Sequence, residues 1–360
     1  MSNDTLFLDQ GPMETKKSIM MPIWVKALIA LFPALIFLVV FTIYPIFNTS
    51  LIAFIENFTW QRDMGSFALS NYLRQLDQFR NPGWWQDYYD AIGDTFYGSA
   101  EPIFTFRNFA KVLGDSVFLD ALKNTAILTI ISVPLTIIIS LLLAVSLNSI
   151  KPLRATFQTI FFLPYVTNTI ALGMVFNTLF SHETGGIMNQ VLIAFGGKPI
   201  SWIRYLYDAE DTIPFSKFSL GFAITVQTIW SGLAFKILVF MSGLASIDRQ
   251  YYDAARIDGA NRSTILRRIT VPLLSPQILY ITITSFIGAF KMYSSIIAIV
   301  GKGPTDYGGD GYTWITIVGY IYRFRDDKLP VAAAGSIVLL IIILLITLVQ
   351  MQVSKKRVHY

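Results

Sequence analysis

The sequence predicts an all-α integral membrane protein with six transmembrane helices. Of its 360 residues, 54% are hydrophobic and 14% are charged, a balance outside that of an ordinary soluble domain. Six apolar stretches are long enough to cross a hydrocarbon core of roughly 30 Å. They run over about 26–48, 121–147, 155–180, 218–243, 273–299 and 331–353.

The basic residues between these stretches predict the orientation, because cytoplasmic segments carry an excess of Lys and Arg. With six spans, one set of connections holds most of them, namely Lys16, Lys17, Lys26, Lys151, Arg154, Arg249, Arg256, Arg262, Arg267, Arg268, Lys355, Lys356 and Arg357. The other side is less basic, since residues 181–217 carry three basic and four acidic side chains. Both termini, and the segment between spans four and five, are therefore predicted to be cytoplasmic.

The spans divide the chain into five parts. They are a cytoplasmic tail at 1–25, a first transmembrane helix at 26–55, an extracytoplasmic insertion at 56–119, a membrane core at 120–353 and a cytoplasmic tail at 354–360. Within the insertion, residues 81–98 interleave Trp and Tyr with Asp. This composition favours an interfacial segment at the lipid headgroups. A docking surface, or a platform on which sugar rings stack, is the alternative.

Several classes of site are excluded by composition. The chain has no cysteine, and His182 and His359 are far apart, so neither a disulfide nor a metal site is predicted. The basic residues lie beside apolar spans, which the orientation rule explains better than nucleic-acid binding does. No GxxxxGK[ST] motif occurs, and the chain is therefore not expected to hydrolyse ATP.

The polar segment 251–276 carries helix start and stop signals between two apolar stretches. Asp248 is expected to cap a first helix, and Gly259 to end it in the left-handed conformation. Asn261 or Ser263 is expected to cap a second short helix that ends at Pro272. Tyr251, Ala254 and Ala255 fall on one face of the first helix. A plain amphipathic surface loop remains an alternative to a docking element.

The spacing within this segment resembles a known signature. Asp253, Ala254, Ala255, Gly259, Ile269 and Pro272 are similar to the Glu-Ala-Ala, Gly and Ile-x-Leu-Pro positions of the membrane subunits of binding-protein-dependent ABC importers. Asp253 replaces the usual Glu, and Val271 the usual Leu. Residues 106–130 with Asn124 and Thr125, residues 161–180 followed by Gly186 and Asn189, and GKGP at 301–304 resemble sugar-type, maltose-transporter-like permeases.

The resemblance covers roughly 106–353 and implies an ABC importer permease core at 120–353. It implies a subunit of a multi-pass cytoplasmic-membrane complex that forms half of the pathway for a sugar or oligosaccharide. The implied partners are a second permease subunit in a heterodimer, two ATP-binding subunits, an extracytoplasmic substrate-binding protein and the lipid bilayer, without nucleic acid. ATP and Mg would be bound by the partner ATPase, so no cofactor and no enzyme activity is expected in this chain. The implied ATPase-coupling residues are Tyr251, Asp253, Ala254, Ala255, Gly259, Ile269 and Pro272.

Polar residues within the spans are candidates for the substrate pathway, because intramembrane polar groups commonly face a cavity. The candidates are Asn168, Asn177, Gln227, Trp230, Lys236, Lys291 and Tyr293. The lysines would suit an anionic saccharide or a phosphorylated polyol, although both are near enough to span ends for their ammonium groups to reach the interface. The uncharged candidates could equally join helices to one another.

Two other classes of function compete with an importer subunit. An ion-coupled secondary transporter normally needs buried carboxylates, and no Asp or Glu lies in the six stretches. A polytopic membrane glycosyltransferase could draw acids from the external insertion. However, no paired-carboxylate or metal-ligand spacing is found there.

Overall fold

The computed structural model describes residues 22–56, 103–149, 154–181, 183–203, 217–300 and 314–355. The chain forms two units, Met1–Asn48 and Thr49–Tyr360. Three predicted features lie outside the described residues: the aromatic segment 81–98, the GKGP sequence at 301–304, and the basic residues of the two tails at 16–17 and 356–357.

The described chain is almost entirely helical, as predicted. Its helices are α1 (Ile23–Leu38), α2 (Tyr44–Ala53), α3 (Arg107–Gly114), α4 (Ser116–Ser149), α5 (Arg154–Val166), α6 (Thr169–Leu179), α7 (Ile187–Ala194), α8 (Lys217–Ser246), α9 (Arg249–Ile257), α10 (Arg262–Ile265), α11 (Val271–Leu273), α12 (Ser275–Phe290), α13 (Ser294–Val300), α14 (Ile317–Arg323) and α15 (Leu329–Lys355). Two short strands, β1 (Ile55–Glu56) and β2 (Ile103–Phe104), pair antiparallel.

In the first unit, α1 leads through a π-helical turn, Val39–Ile43, towards Pro45. The Tyr44 N–H bonds the carbonyl of Val39. This wider turn accommodates a proline whose ring cannot fit a regular helical turn. Apolar side chains such as Trp24 and Phe41 are about 70% exposed, which suits a helix surrounded by lipid.

Within the predicted insertion 56–119, the residues that flank the segment 57–102 meet at the paired strands. The buried Asn108 amide donates to the carbonyls of Ala53 and Ile55, at 3.1 and 3.0 Å. Lys111 forms an ion pair of 2.7 Å with Glu56, and Arg107 lies 3.6 Å from the same carboxylate. The ends of the segment 57–102 are therefore held together on the surface of the second unit.

Four helical runs in the described residues are long and apolar enough to cross a membrane: Trp24–Ala53, Ser116–Ser149, Phe218–Ser246 and Leu329–Ser354. These coincide with the predicted first, second, fourth and sixth spans. The pair Arg262–Leu273 and Ser275–Phe290 bends by 70° and counts as a fifth run if its halves cross together. The fold is thus that of a helical membrane protein, while the six-span arrangement itself stays a prediction.

The predicted third span is not one helix. It consists of α5 and α6, with a break at Thr167 and Asn168. Asn168 has an extended backbone, and its side-chain oxygen accepts the Ile170 N–H at 2.8 Å. Side chains that compete for backbone N–H groups in this way start helices rather than continue them.

The buried core forms where α4 packs against α8 and α12. One cluster surrounds Phe240, Leu274 and Ile281, and a second surrounds Phe118 and Tyr320. Small residues bring helices very close together. A Cβ atom on Gly173 of α6 would lie 2.2 Å from the Ala298 Cβ of α13.

Two predicted motifs have structural roles in the second unit. Asn124 donates to the Ile315 carbonyl at 3.1 Å, and Thr125 accepts the Ile317 N–H at 3.1 Å, so α4 holds the start of α14. Asn189 is fully buried. Its amide group bonds the carbonyls of Glu183 and Ile200 and accepts from the Ile200 N–H and the Trp202 indole.

Candidate functional site

The first candidate site is the segment that joins α8 to α12. The Asp248 carboxylate accepts the Gln250 N–H at 3.0 Å and starts α9, as predicted. The helix ends in a Schellman motif, in which Ala260 N–H bonds the Ala255 carbonyl at 2.9 Å and Gly259 N–H bonds the Arg256 carbonyl at 3.1 Å. Gly259 has φ +70°, the left-handed conformation predicted from the sequence.

The exposed face of α9 differs from the face that the spacing suggests. Tyr251 and Ala254 are exposed, whereas Ala255 is only 8% exposed and faces the protein. Asp253 is exposed and forms a 3.2 Å ion pair with Arg256. Ile257, at the end of α9, is 86% exposed. A single exposed apolar residue is normal on a protein surface and does not by itself mark a contact.

The second part of the segment does not end at Pro272 as predicted. Asn261 caps α10 by accepting the Thr264 N–H at 2.8 Å, and the chain then forms a π-helical turn, Leu266–Thr270. This turn accommodates Pro272 inside the helical path, just as the turn before Pro45 does. The 70° bend instead falls at Leu274, immediately before α12.

The bend is anchored against α8. Leu274 is fully buried in the cluster with Phe240. A Cβ atom on Gly243 of α8 would lie 2.7 Å from the end of the Leu274 side chain, so a larger residue there would displace that side chain. Ile269 and Pro272 are partly buried on the way to the bend. The end of the segment that begins with α9 is therefore packed against α8 where it joins α12.

The second candidate site is an open cavity of about 310 Å³ between α4, α8, α12 and the start of α13. Its lining is rich in hydroxyl groups. The lining residues are Ser132, Val133, Thr136, Thr228, Ser231, Gly232, Phe235, Lys236, Thr284, Ser285, Gly288, Ala289, Met292 and Ser295. The lining residues on α8 recur at intervals of three and four, so they form one stripe along the helix. They are Thr228, Ser231, Gly232, Phe235 and Lys236.

Lys236 is the charged residue of this cavity. Its ammonium group donates to the Gly232 carbonyl at 3.1 Å and forms no ion pair in the part of the chain that the structure describes. The Ser132 and Ser231 hydroxyl oxygens have no hydrogen-bond partner there either. By contrast, Thr136, Thr228 and Thr284 bond carbonyls of their own helices, as their sequence positions permit.

The other predicted pathway residues lie elsewhere. Asn168 is the cap of α6, and Asn177 donates to the Ile299 carbonyl, which ties α6 to α13. The Tyr293 ring stacks on Tyr322 with centroids 4.0 Å apart. Lys291 is exposed at the carboxyl end of α12, where a cation suits the helix dipole.

Two further candidates lie on α8. Trp230 is 46% exposed, whereas Gln227 is fully buried. Neither amide atom of Gln227 has a hydrogen-bond partner within the described ranges. Among the seven predicted residues only Lys236 lines the cavity. The serine and threonine residues of the lining recur at helical spacing in the sequence. Amide and charged residues alone do not reveal them.

No group of three or more His, Asp or Glu side chains in the described segments is placed to hold a metal ion.

Residues 136–358 match the model of a known family, the binding-protein-dependent transport system inner membrane component. The chain belongs to this family. The match includes the whole segment from α9 to α12 and most of the cavity lining.

Relatives and a solved structure agree with this membership. The chain is 32% identical over 247 residues to the arabinooligosaccharides transport system permease AraP of Halalkalibacterium halodurans, covering 68% of this chain and 73% of that protein. It is 32% identical over 258 residues to the lactose transport system permease LacF of Rhizobium radiobacter, covering 69% and 80%. The fold matches a chain of a bacterial alginate ABC transporter, solved with a pentasaccharide-bound periplasmic protein, with TM-score 0.67, 19% identity and coverage of 92% and 94%.

The family membership confirms the resemblance drawn from the segment 251–276. The family is one of membrane transport components. The two competing classes, the ion-coupled transporter and the glycosyltransferase, gain no support from these comparisons.

Proposed function

We propose that the chain is the permease subunit of an ABC importer and forms half of the pathway for a sugar or oligosaccharide. The observation that carries this proposal is the capped segment α9 to α11, which lies between two spanning helices and is held by the buried Leu274. Relatives named for arabinooligosaccharides and lactose support the substrate class.

In this proposal the chain crosses the cytoplasmic membrane six times, with both termini in the cytoplasm. Helices α5 and α6 together form the third span, and α12 with α13 forms the fifth. The basic residues of the segment α9–α11 then lie on the cytoplasmic side, as the excess of Lys and Arg requires. Residues 1–25 and 354–360 are cytoplasmic tails, 26–55 the first helix, 56–119 an external insertion and 120–353 the permease core.

The chain works in a complex. A second permease subunit completes the pathway in a heterodimer, and two ATP-binding subunits, which hold ATP and Mg, supply the energy. The chain itself holds no cofactor and has no ATPase site, since it lacks the phosphate-binding GxxxxGK[ST] loop. An extracytoplasmic binding protein delivers the substrate; the alginate transporter of similar fold, solved with a periplasmic protein, supports such a partner.

The coupling residues have different roles. Tyr251, Asp253 and Ala254 are exposed and contact the ATPase. Buried Ala255 lets α9 lie close to its own protein, and Gly259 sets the direction of the turn. Ile269 and Pro272 lie on the helical path that carries the motion to the bend. Rigid packed elements of this kind can pass a displacement from one site to another.

The test is to coexpress the chain with its candidate permease and ATPase partners. Copurification of the ATPase with the membrane complex, and uptake of radiolabelled saccharide into ATP-loaded proteoliposomes, are the expected results. Absence of a bound ATPase from an assembled permease pair would overturn the proposal.

A further inference from the structure

The cavity between α4, α8 and α12 contains a cation for which the described part of the chain supplies no counterion. No Asp or Glu is among the described lining residues, and within the described ranges Lys236 bonds the carbonyl of Gly232, one turn earlier on its own helix. A desolvated ammonium group with a single neutral partner is unfavourable, and an anion in the cavity would stabilise it.

The direction of the Lys236 side chain argues against a role at the membrane surface. The nearer end of α8 is Ser246, about 15 Å away along the helix axis at 1.5 Å per residue. The ammonium group lies beside Gly232 and therefore points away from that end, towards the middle of the helix. A lysine that reached for the interface would extend the other way.

Serine and threonine residues line the same cavity as this cation. The Ser132 side chain is 1% exposed, and its hydroxyl oxygen, like that of Ser231, has no hydrogen-bond partner in the described ranges. Such buried hydroxyl groups are normally satisfied. The cavity therefore combines a positive charge that has no partner anion among the described residues with a lining of serine and threonine residues, whose hydroxyl groups can donate and accept.

We propose that this cavity binds an acidic saccharide, with its carboxylate or phosphate at Lys236 and its hydroxyl groups against the serine and threonine residues of the lining. The proposal rests on the importer function proposed above and narrows the substrate from saccharides in general to anionic ones. An ammonium group acts as a compact point charge that suits either kind of anion. A neutral sugar would leave the charge in the cavity unpaired.

The absence of cysteine allows a direct test, because one introduced thiol reports from one position. Gly288 lines the cavity, and a Cβ atom there would meet nothing within 4 Å. In the assembled transporter, Gly288→Cys is treated with methanethiosulfonate reagents carrying either a sulfonate or a trimethylammonium group. Each rate is divided by the rate of the same reagent with 2-mercaptoethanol.

We expect the anionic reagent to be favoured about fivefold, as one nearby unit charge in a partly wet site predicts. Adding Lys236→Met should abolish the preference, and adding Lys236→Arg should keep it. The matched control is Lys123→Met, which removes an exposed lysine from α4 outside the cavity. Equal rates, a preference for the cation, a preference that survives Lys236→Met, or no labelling at all would overturn the proposal.

Protection experiments separate the two sources of negative charge. A uronic-acid disaccharide, a hexose phosphate and a neutral disaccharide are each added before labelling of the Gly288→Cys transporter. Protection by the first assigns a carboxylate and protection by the second a phosphate. Protection by the neutral sugar alone, or by none of the three, overturns the assignment of this cavity to an acidic saccharide.

The same preparations distinguish failure of this inference from failure of the proposed function. If the ATPase copurifies but labelling in the cavity shows no preference for the anionic reagent, only the assignment of an acidic substrate is wrong. If no ATPase copurifies with the permease pair, the importer function itself fails.

Discussion

The Ala260 N–H donates to the Ala255 carbonyl over 2.9 Å and closes the last turn of α9 from beyond its end. The bond forms because Gly259, the residue before Ala260, has φ +70°. This one contact sets where α9 stops and the direction in which the chain leaves it. The geometry of the proposed ATPase contact therefore depends on the backbone conformation of Gly259.

Replacement of Gly259 by valine should misdirect this turn. At φ +70° a side chain costs about 1 kcal/mol, and a β-branched one costs more. We expect Gly259→Val to insert normally but to lose most ATPase copurification and most uptake. The matched control is Gly185→Val, at an exposed glycine outside the left-handed region with nothing within 4 Å of its added Cβ. Full ATPase association by Gly259→Val would show that the segment is a surface loop with no role in ATPase binding.

Reversal of the charge at Asp253 tests the exposed face. Its ion pair with Arg256 is exposed on both sides, and such pairs contribute only about 0–1 kcal/mol to stability. We therefore expect Asp253→Lys to leave the melting temperature of the purified chain within about 2 °C while weakening ATPase association. Asp253→Glu, which keeps the charge, should retain association. Equal association of the two variants would contradict a contact at this position.

The caps of α9 and α10 could be predicted because their signals are local. Asp248, Gly259 and Asn261 act on backbone groups two or three residues away, so the sequence alone locates them. The bend at Leu274 could not, because it depends on a π-helical turn and on close approach to Gly243 from another helix. Pro272 by itself favours a helix end at that position. The helical path instead continues through Pro272 and bends at Leu274, which packs against α8.

The two candidate sites differ in the same way. The segment 251–276 carries a recognisable spacing along one stretch of chain. The cavity instead assembles hydroxyl groups from α4, α8 and α12, such as Ser132, Ser231 and Ser285, and the spacing within each helix does not show that the three helices meet. Lys236 was found because a charge within a span is rare, whereas a serine there is common.

Asn189 should be important for the stability of the second unit. It is fully buried and bonds three carbonyls, one N–H and one indole, so its removal leaves several groups without partners. We expect Asn189→Ala to lower the free energy of unfolding by about 2–4 kcal/mol, measured by thermal unfolding in detergent. The control is Gln190→Ala, at an exposed neighbour that bonds one carbonyl. Similar losses for both variants would show that Asn189 has no special role.

The ion pair between Glu56 and Lys111 should make stability depend on pH. The hydrogen bond from Lys111 lowers the pKa of Glu56 below its usual range, and the nearby charge of Arg107 acts in the same direction. The stabilisation is therefore present above the unfolded-state pKa of roughly 4.3 and is lost as pH falls through the lower folded-state value. The melting temperatures of the wild type and Glu56→Gln should differ near pH 6, and the difference should shrink as the pH falls through the folded-state pKa. A difference that stays constant across this range would contradict the assignment.

The broken third span offers the sharpest test of topology. Helix α5 has 13 residues and α6 has 11, so at 1.5 Å per residue they are about 20 and 17 Å long. Neither alone crosses a core of roughly 30 Å, but the two in succession can. Ser149, before α5, and Gly197, after α6 and α7, should therefore lie on opposite sides of the membrane. In this cysteine-free chain, Gly197→Cys should react with an impermeant maleimide in intact cells, and Ser149→Cys only after permeabilisation. Labelling of both positions from the same side would mean that α5 and α6 enter and leave by one face, and the six-span arrangement would be wrong.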